Sequence, residues 1–280
     1  MRYSKKVWTR FGMHAILIIV SLIAAYPVFI MVSGSFKTLK ELFANSTGLP
    51  MNPTLDNYHR LFNINSGIIL RTYLNSIGIA SASTLLTLIA ASMAGFAFSK
   101  YRFKGRNVLF VMFLITMMVP VEVNITPLFL IFSRLKWLNT YQVQIIPSIA
   151  NVFAMFMFRQ YMDSVPDSLI EAARIDGAGH WRVYRSIILP VSVPTLGALA
   201  ILLFLSKWND YLFPRIMVDK INFQPIMLIL PTLNETDNSA NVPWDLMLTG
   251  CTIVTIPLIA LFLAFQDKFL SSVTIGSVKG

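Results

Sequence analysis

The sequence predicts an all-α integral membrane protein with six transmembrane helices, and three observations carry that expectation. The first is composition. Of 280 residues, 55% are hydrophobic and 13% charged, where a soluble domain carries about 25% charged residues, and mean hydropathy is +0.65. The second is the presence of apolar runs long enough to cross a membrane, which takes about 20 residues for a hydrocarbon core of roughly 30 Å. The third is charge placement. The formal net charge is +10, but Lys and Arg sit in short clusters between apolar runs. Nucleic-acid binding would gather them on a polar surface, whereas short flanking clusters fit the positive-inside pattern.

The first run, Phe11–Ser33, follows Arg2, Lys5, Lys6 and Arg10. It outlasts the roughly 7–15 apolar residues of a signal peptide and lacks a small-x-small cleavage site, so it reads as a retained span. The second is Thr72–Phe98. The third, Val108–Phe132, carries Glu122 and Asn124 between Pro120 and Pro127. Polar groups inside a span are costly and mark function, and the prolines are expected to loosen the helix. Glu122 and Asn124 are therefore candidates for a substrate path. The alternative is a structural role, with Glu122 near the outer surface or paired with a cation. The fourth run is Gln142–Met162, the fifth is Ile187–Lys207 with Pro190 and Pro194 inside it, and the sixth is Leu246–Gln266. Proline kinks are tolerated within a membrane bundle.

Cation density orients these runs. The N-terminus is basic, "KYRFKGR" (Lys100–Arg106) has four cations in seven residues, and the link before the fifth run holds Arg159, Arg174, Arg182 and Arg185. These fall on one side if both termini are cytoplasmic. The expected organisation is a tail, first span and external loop over 1–70, a core over 71–267 and a cytoplasmic tail over 268–280. Of the external loops, Gly34–Arg71 contains "LPMNPTLDNY" and reads as irregular loop or short helices, while Asp219–Asp245 contains "LNETDNSANVPW" and can reach a partner outside.

The link before the fifth run is the most polar stretch of the chain. Ser164, Pro166 and Asp167 predict a helix start. Gly177 and Gly179 predict its end. Trp181, Tyr184 and Ile188 begin a second periodic run. An interfacial helix would be rich in Lys and Arg, but this one offers Asp167, Glu171 and Asp176 against Arg174. A helix docking into a protein groove fits better.

The spacing Glu171-Ala172-Ala173, Gly177, Ile187, Leu189-Pro190 resembles the signature of bacterial ABC importer permeases. "NSIGIAS" at Asn75, "PVEVNITPLF" at Pro120–Phe129, "KWNDYLFP" at Lys207–Pro214 and "TIGSVKG" at the end extend the resemblance to the carbohydrate-uptake branch, specifically the smaller maltose-type permease. The resemblance implies a type I ABC importer permease fold and a coupling helix that docks into an ATPase, with Glu171, Ala172, Ala173, Asp176, Gly177, Leu189 and Pro190 as coupling residues. It also implies a tail, including Gly276, Val278 and Lys279, that reaches the ATPases. The implied partners are a second homologous permease, two ATP-binding subunits, an external sugar-binding protein and membrane lipid, with no nucleic acid.

No G-x-x-x-x-G-K-[ST] phosphate loop occurs, so the chain itself is expected to bind no cofactor and to catalyse no reaction, with ATP and magnesium held by the partner ATPase. His14, His59 and His180 are far apart, and Cys251 is a lone cysteine in an apolar run, so no metal site is expected. In "KWNDYLF", Trp208 and Tyr211 offer aromatic faces, and Asn209 and Asp210 offer polar groups, which suits a sugar path; an interfacial aromatic belt is the alternative. An intramembrane enzyme would need a nucleophile–base pair or paired acids inside the runs, and none is present. A secondary transporter or channel subunit would need coupling acids deep in the runs, where Glu122 is the one candidate.

Overall fold

The computed structural model describes the backbone of residues 2–64, 67–234 and 242–277, and the side chains of residues 12–64, 67–233 and 242–266. Among the described residues every regular element is helical. In chain order they are α1 (Arg2–Ser35), α2 (Leu39–Ala44), α3 (Asp56–Asn63), α4 (Ile68–Lys100), α5 (Arg106–Thr116), α6 (Ile125–Arg134), α7 (Tyr141–Ile149), α8 (Val152–Asp163), α9 (Asp167–Ile175), α10 (His180–Val183), α11 (Leu189–Val191), α12 (Val193–Trp208), α13 (Leu212–Met217), α14 (Ile226–Ile229) and α15 (Trp244–Ser277). Among the described residues, four stretches are long and apolar enough to cross a membrane: Gly12–Ser35, Ile68–Lys100, Tyr141–Asp163 and Trp244–Gln266. Two bent pairs, Arg106–Thr116 with Val121–Arg134 and His180–Val191 with Val193–Trp208, bring the number to six when each pair counts as one span. The all-α membrane class and its six apolar passages stand.

The chain divides into two compact units. One comprises Met1–Leu70 and Leu230–Ile256. Within it, α1 and the first part of α15 meet where Gly34 removes bulk. A Cβ there would come within 2.5 Å of the Leu248 side chain. The Pro- and Asn-rich stretch after α1 is ordered by buried polar groups. Lys37 is fully buried, and its ammonium donates to the Asn45 and Gly48 carbonyls at 2.7 and 2.6 Å. Asn57 donates to the Ser35 and Lys37 carbonyls at 2.9 and 2.8 Å. Buried polar groups that keep such partners avoid the desolvation penalty of an unpaired group. Arg60 pairs with the buried Asp245 at 2.8 Å.

The other unit comprises Arg71–Ile229 and Pro257–Gly280. Its largest core gathers Phe96, Phe158, Met162, Ile170, Val183, Ile188 and Leu199 from α4, α8, α9, α10, the turn after it and α12. Gly95 makes this packing close, since a Cβ there would sit 2.6 Å from Phe158 Cβ and 3.0 Å from the Arg159 backbone nitrogen.

Three expected spans are broken. The third bends by 91° between Arg106–Thr116 and Val121–Arg134, just before the 3₁₀ turn Val121–Asn124. The bend lies at Pro120. Pro127, expected to loosen the helix as well, sits in the first turn of α6, where a missing N–H leaves no bond unmade. The fourth, expected as continuous, is interrupted at Ala150; Asn151 then starts α8, its side-chain oxygen accepting from Ala154 N at 2.8 Å. The fifth bends by 76° at Ser192, between Pro190 and Pro194, and the Ser192 hydroxyl donates to the Ile188 carbonyl at 2.7 Å.

Candidate functional site

The candidate site is the segment from Asp167 to Pro190. Its helix starts two residues later than the sequence pattern suggests. Ser164 closes α8, donating its hydroxyl to Tyr161 O at 2.7 Å, and it caps nothing in α9. Pro166 is the N-cap of α9 and Asp167 its first residue. A Ser–Asp capping pair therefore does not form; the proline's fixed φ sets the start instead.

The end of α9 is built as expected and in full. Gly177 has φ +78°, its N–H donates to Arg174 O at 3.0 Å, and Ala178 N–H donates to Ala173 O at 2.9 Å. That pair of bonds is a Schellman closure, which satisfies the last carbonyls of a helix and depends on a residue tolerant of left-handed backbone. Gly179 then opens α10 in extended conformation.

Lys100, the last residue of α4, and Tyr101 just after it hold this segment on either side of its glycine turn. Lys100 donates to Val165 O at 2.6 Å and to Asp167 Oδ1 at 2.7 Å, fixing the start of α9. The Lys100 hydrogen bond and charge hold the Asp167 carboxyl below its ordinary range. Tyr101 Oη lies 2.7 Å from His180 Nδ1, fixing the segment beyond the glycines. Burial pushes the Tyr101 phenol up, with Arg174 partly offsetting it. Further along, Tyr184 Oη is 2.8 Å from Ser92 Oγ, and rings of Phe96, Tyr101, Tyr184 and Trp181 pack at 5.3–5.7 Å between centroids. A π turn, Tyr184–Ile188, carries the chain toward the bend at Ser192.

This mounting leaves one face of α9 free. Ile170 is its buried anchor and Ala173 packs beside it, while Glu171, Ala172 and Asp176 are exposed and Ile175 is 87% exposed. Leu169 on the same helix is exposed as well, so α9 leaves apolar side chains open to a partner. Leu189 is half-buried and Pro190 exposed, both downstream of the π turn.

The other predicted residues are spread out. Glu122 and Asn124 are exposed in the 3₁₀ turn at the 91° bend. Trp208 is only 1% exposed; it stacks on Phe204 at 5.6 Å and meets Tyr73 edge-on at 5.9 Å. Its ring is occupied by this chain's own packing, so no face is open for stacking on a sugar. Asp210 pairs with Lys207 at 2.9 Å, and Asn209 and Tyr211 are exposed. Val278 and Lys279, and any side-chain account of the tail near Gly276, lie outside the described residues. The sequence pattern gave Lys100, Tyr101, His180 and Ile170 no part in the site. Lys100 read as an orienting cation, and only the pairing of α4 with α9 turns it into an anchor.

Comparison with known proteins decides the family. Residues 69–275 match the family described as "Binding-protein-dependent transport system inner membrane component". The chain belongs to this family. The permease is 36% identical over 264 residues to the arabinooligosaccharides transport system permease protein AraQ of Halalkalibacterium halodurans, covering 93% of each chain. It is 31% identical over 262 residues to the sn-glycerol-3-phosphate transport system permease protein UgpE of Salmonella typhi, covering 92% of this chain and 93% of that one. Its fold matches a chain in the crystal structure of a bacterial ABC transporter involved in the import of the acidic polysaccharide alginate, with a TM-score of 0.81 at 23% identity, covering 95% of this chain and 98% of that chain. The permease is thus a membrane-spanning transport component with the fold of an ABC importer subunit.

Proposed function

We propose that this chain is the transmembrane permease subunit of an ATP-driven sugar importer, carrying an oligosaccharide across the bacterial cell membrane by alternating access. Its partners are a second, homologous permease, two ATP-binding subunits that hold ATP and magnesium, and an external sugar-binding protein. Both termini and α9 face the cytoplasm, following the Lys and Arg distribution. The observation that carries the reading is the exposed face of α9, Glu171, Ala172 and Ile175, on a helix tied at its start to Lys100 of α4 and followed, beyond the glycine turn, by His180 held at Tyr101. A helix held this way passes a push on its exposed face into α4 and, through the π turn, into α12. Family membership and relatives named for oligosaccharide transport support the substrate class.

Glu171→Lys tests it. In the complex reconstituted with its ATPases, sugar-stimulated ATP hydrolysis is lost while the chain still inserts and assembles. Coupled hydrolysis at the wild-type level would remove α9 as the docking element.

A further inference from the structure

In the second unit, one turn is held by side chains of its neighbours more than by its own backbone. It leaves α13 at Met217, makes the 3₁₀ turn Ile221–Phe223 and enters α14 at Ile226. Asn75, in the first third of α4, donates through its one amide nitrogen to Asn222 O at 2.9 Å and to Gln224 O at 3.0 Å. Its remaining oxygen accepts from Tyr141 Oη at 2.8 Å. Gln144, a turn further along α7, donates to Phe223 O at 2.9 Å, and Ser76 Oγ accepts from Ile226 N at 2.8 Å. Asn139 Oδ1 accepts from both Asp219 N and Lys220 N at 2.7 Å.

Asn75 is the centre of this arrangement. It is buried, and both amide hydrogens and the amide oxygen are committed. Two carbonyls demand a donor, and only the NH2 end of the amide supplies two. Above the clamp, Asp219, Lys220, Ile221 and Asn222 are exposed, with Ile221 the apolar centre between an acid, a base and an amide. These four exposed residues are the part of the turn that a partner can reach. Connecting turns are ordinarily among the mobile parts of a fold. One fixed in advance loses less freedom when a partner binds.

We propose that Asn75 is a positioning residue for receptor docking: it holds the turn 218–226 in the shape in which Asp219–Asn222 meets the external binding protein. This rests on the proposed function, which places the turn on the outer face. Asn75 acts through the backbone it holds.

The test uses the complete complex in lipid, titrated with the loaded solute-binding protein that stimulates the wild-type complex, with ATP hydrolysis as readout. Asn75→Asp keeps the acceptor for Tyr141 but sets a carboxylate against two carbonyl oxygens. Ile221→Glu alters the exposed tip without entering the core. Both variants are expected to raise the half-saturating concentration of binding protein about 10-fold while the maximal rate holds, a split that separates docking from catalysis. A lowered maximal rate with unchanged half-saturation would overturn the proposal in favour of a purely structural role. An effect of Ile221→Glu without one of Asn75→Asp would overturn the positioning role. If Asn75→Asp does not assemble, Tyr141→Phe, which removes a single bond to Asn75, takes its place, and unchanged half-saturation then overturns the proposal. A wild-type complex that no binding protein stimulates would overturn the proposed function itself.

Discussion

Gly177→Ala adds one methyl group at the turn that ends α9. No atom lies within 4 Å of a Cβ built there, so the cost is in the backbone and not in packing. Gly177 has φ +78°, and an L-residue held in the left-handed region costs roughly 1–2 kcal/mol. The bonds at risk are those from Gly177 N to Arg174 O and from Ala178 N to Ala173 O. A cost of that size shifts the balance between closed and opened turn by about 5- to 30-fold. Lys100 and Tyr101 still hold the two sides of the segment, so insertion and assembly are expected to survive while force transmission weakens. The assay is substrate-stimulated ATP hydrolysis by the reconstituted complex, comparing Gly177→Ala with Gly177→Asn. Asparagine tolerates left-handed backbone, so it is expected to retain most of the coupling that alanine loses. Wild-type coupling in the alanine variant would refute the reasoning, because the closure would then carry no load. Equal loss in both variants would refute it differently, since something other than φ would be sensed at that position.

Two further outcomes are expected. Gly95→Val places bulk against Phe158 and the Arg159 backbone; overpacking of this kind costs about 1–3 kcal/mol, so the detergent-solubilised complex melts several degrees lower, and an unchanged melting temperature would contradict the close approach of α4 and α8. The Lys100–Asp167 pair is pH-dependent in a defined direction. The Asp167 carboxyl is lowered in the folded chain, so its contribution is present above the ordinary carboxylate range and is lost as pH falls through the lowered value. The effect is small because Asp167 is exposed. The gap in melting temperature between wild type and Asp167→Asn should therefore narrow as pH falls from neutral through and below the ordinary carboxylate range, and a constant gap would assign the difference to something other than the ion pair.

The sequence by itself determined the class and the apolar passages. Hydropathy reports burial in lipid directly, because each apolar run must by itself satisfy the length of a crossing, and Phe11–Ser33 falls within α1 as Thr72–Phe98 falls within α4. The end of α9 was equally legible, because glycine at Gly177 is a local requirement of local backbone geometry. The start was not. Ser164, Pro166 and Asp167 permit two readings, and the choice depended on whether Ser164 belonged to α8, which only the packing of α8 settles. Tertiary structure also decided where the apolar runs break. The 91° bend at the third passage and the interruption at Ala150 in the fourth arise where neighbouring helices and side chains such as Asn151 satisfy the freed backbone. The same holds for each role that joins distant parts of the chain. Trp208 looked like a surface for sugar, yet Tyr73 and Phe204 enclose it. Lys100 looked like a topology signal and is an anchor for α9. Asn75 looked like one residue of a family-like string and is the centre of a clamp on a turn nearly 150 residues away. Periodicity and propensity describe a residue's neighbours along the chain. What a buried side chain does is set by its neighbours in space.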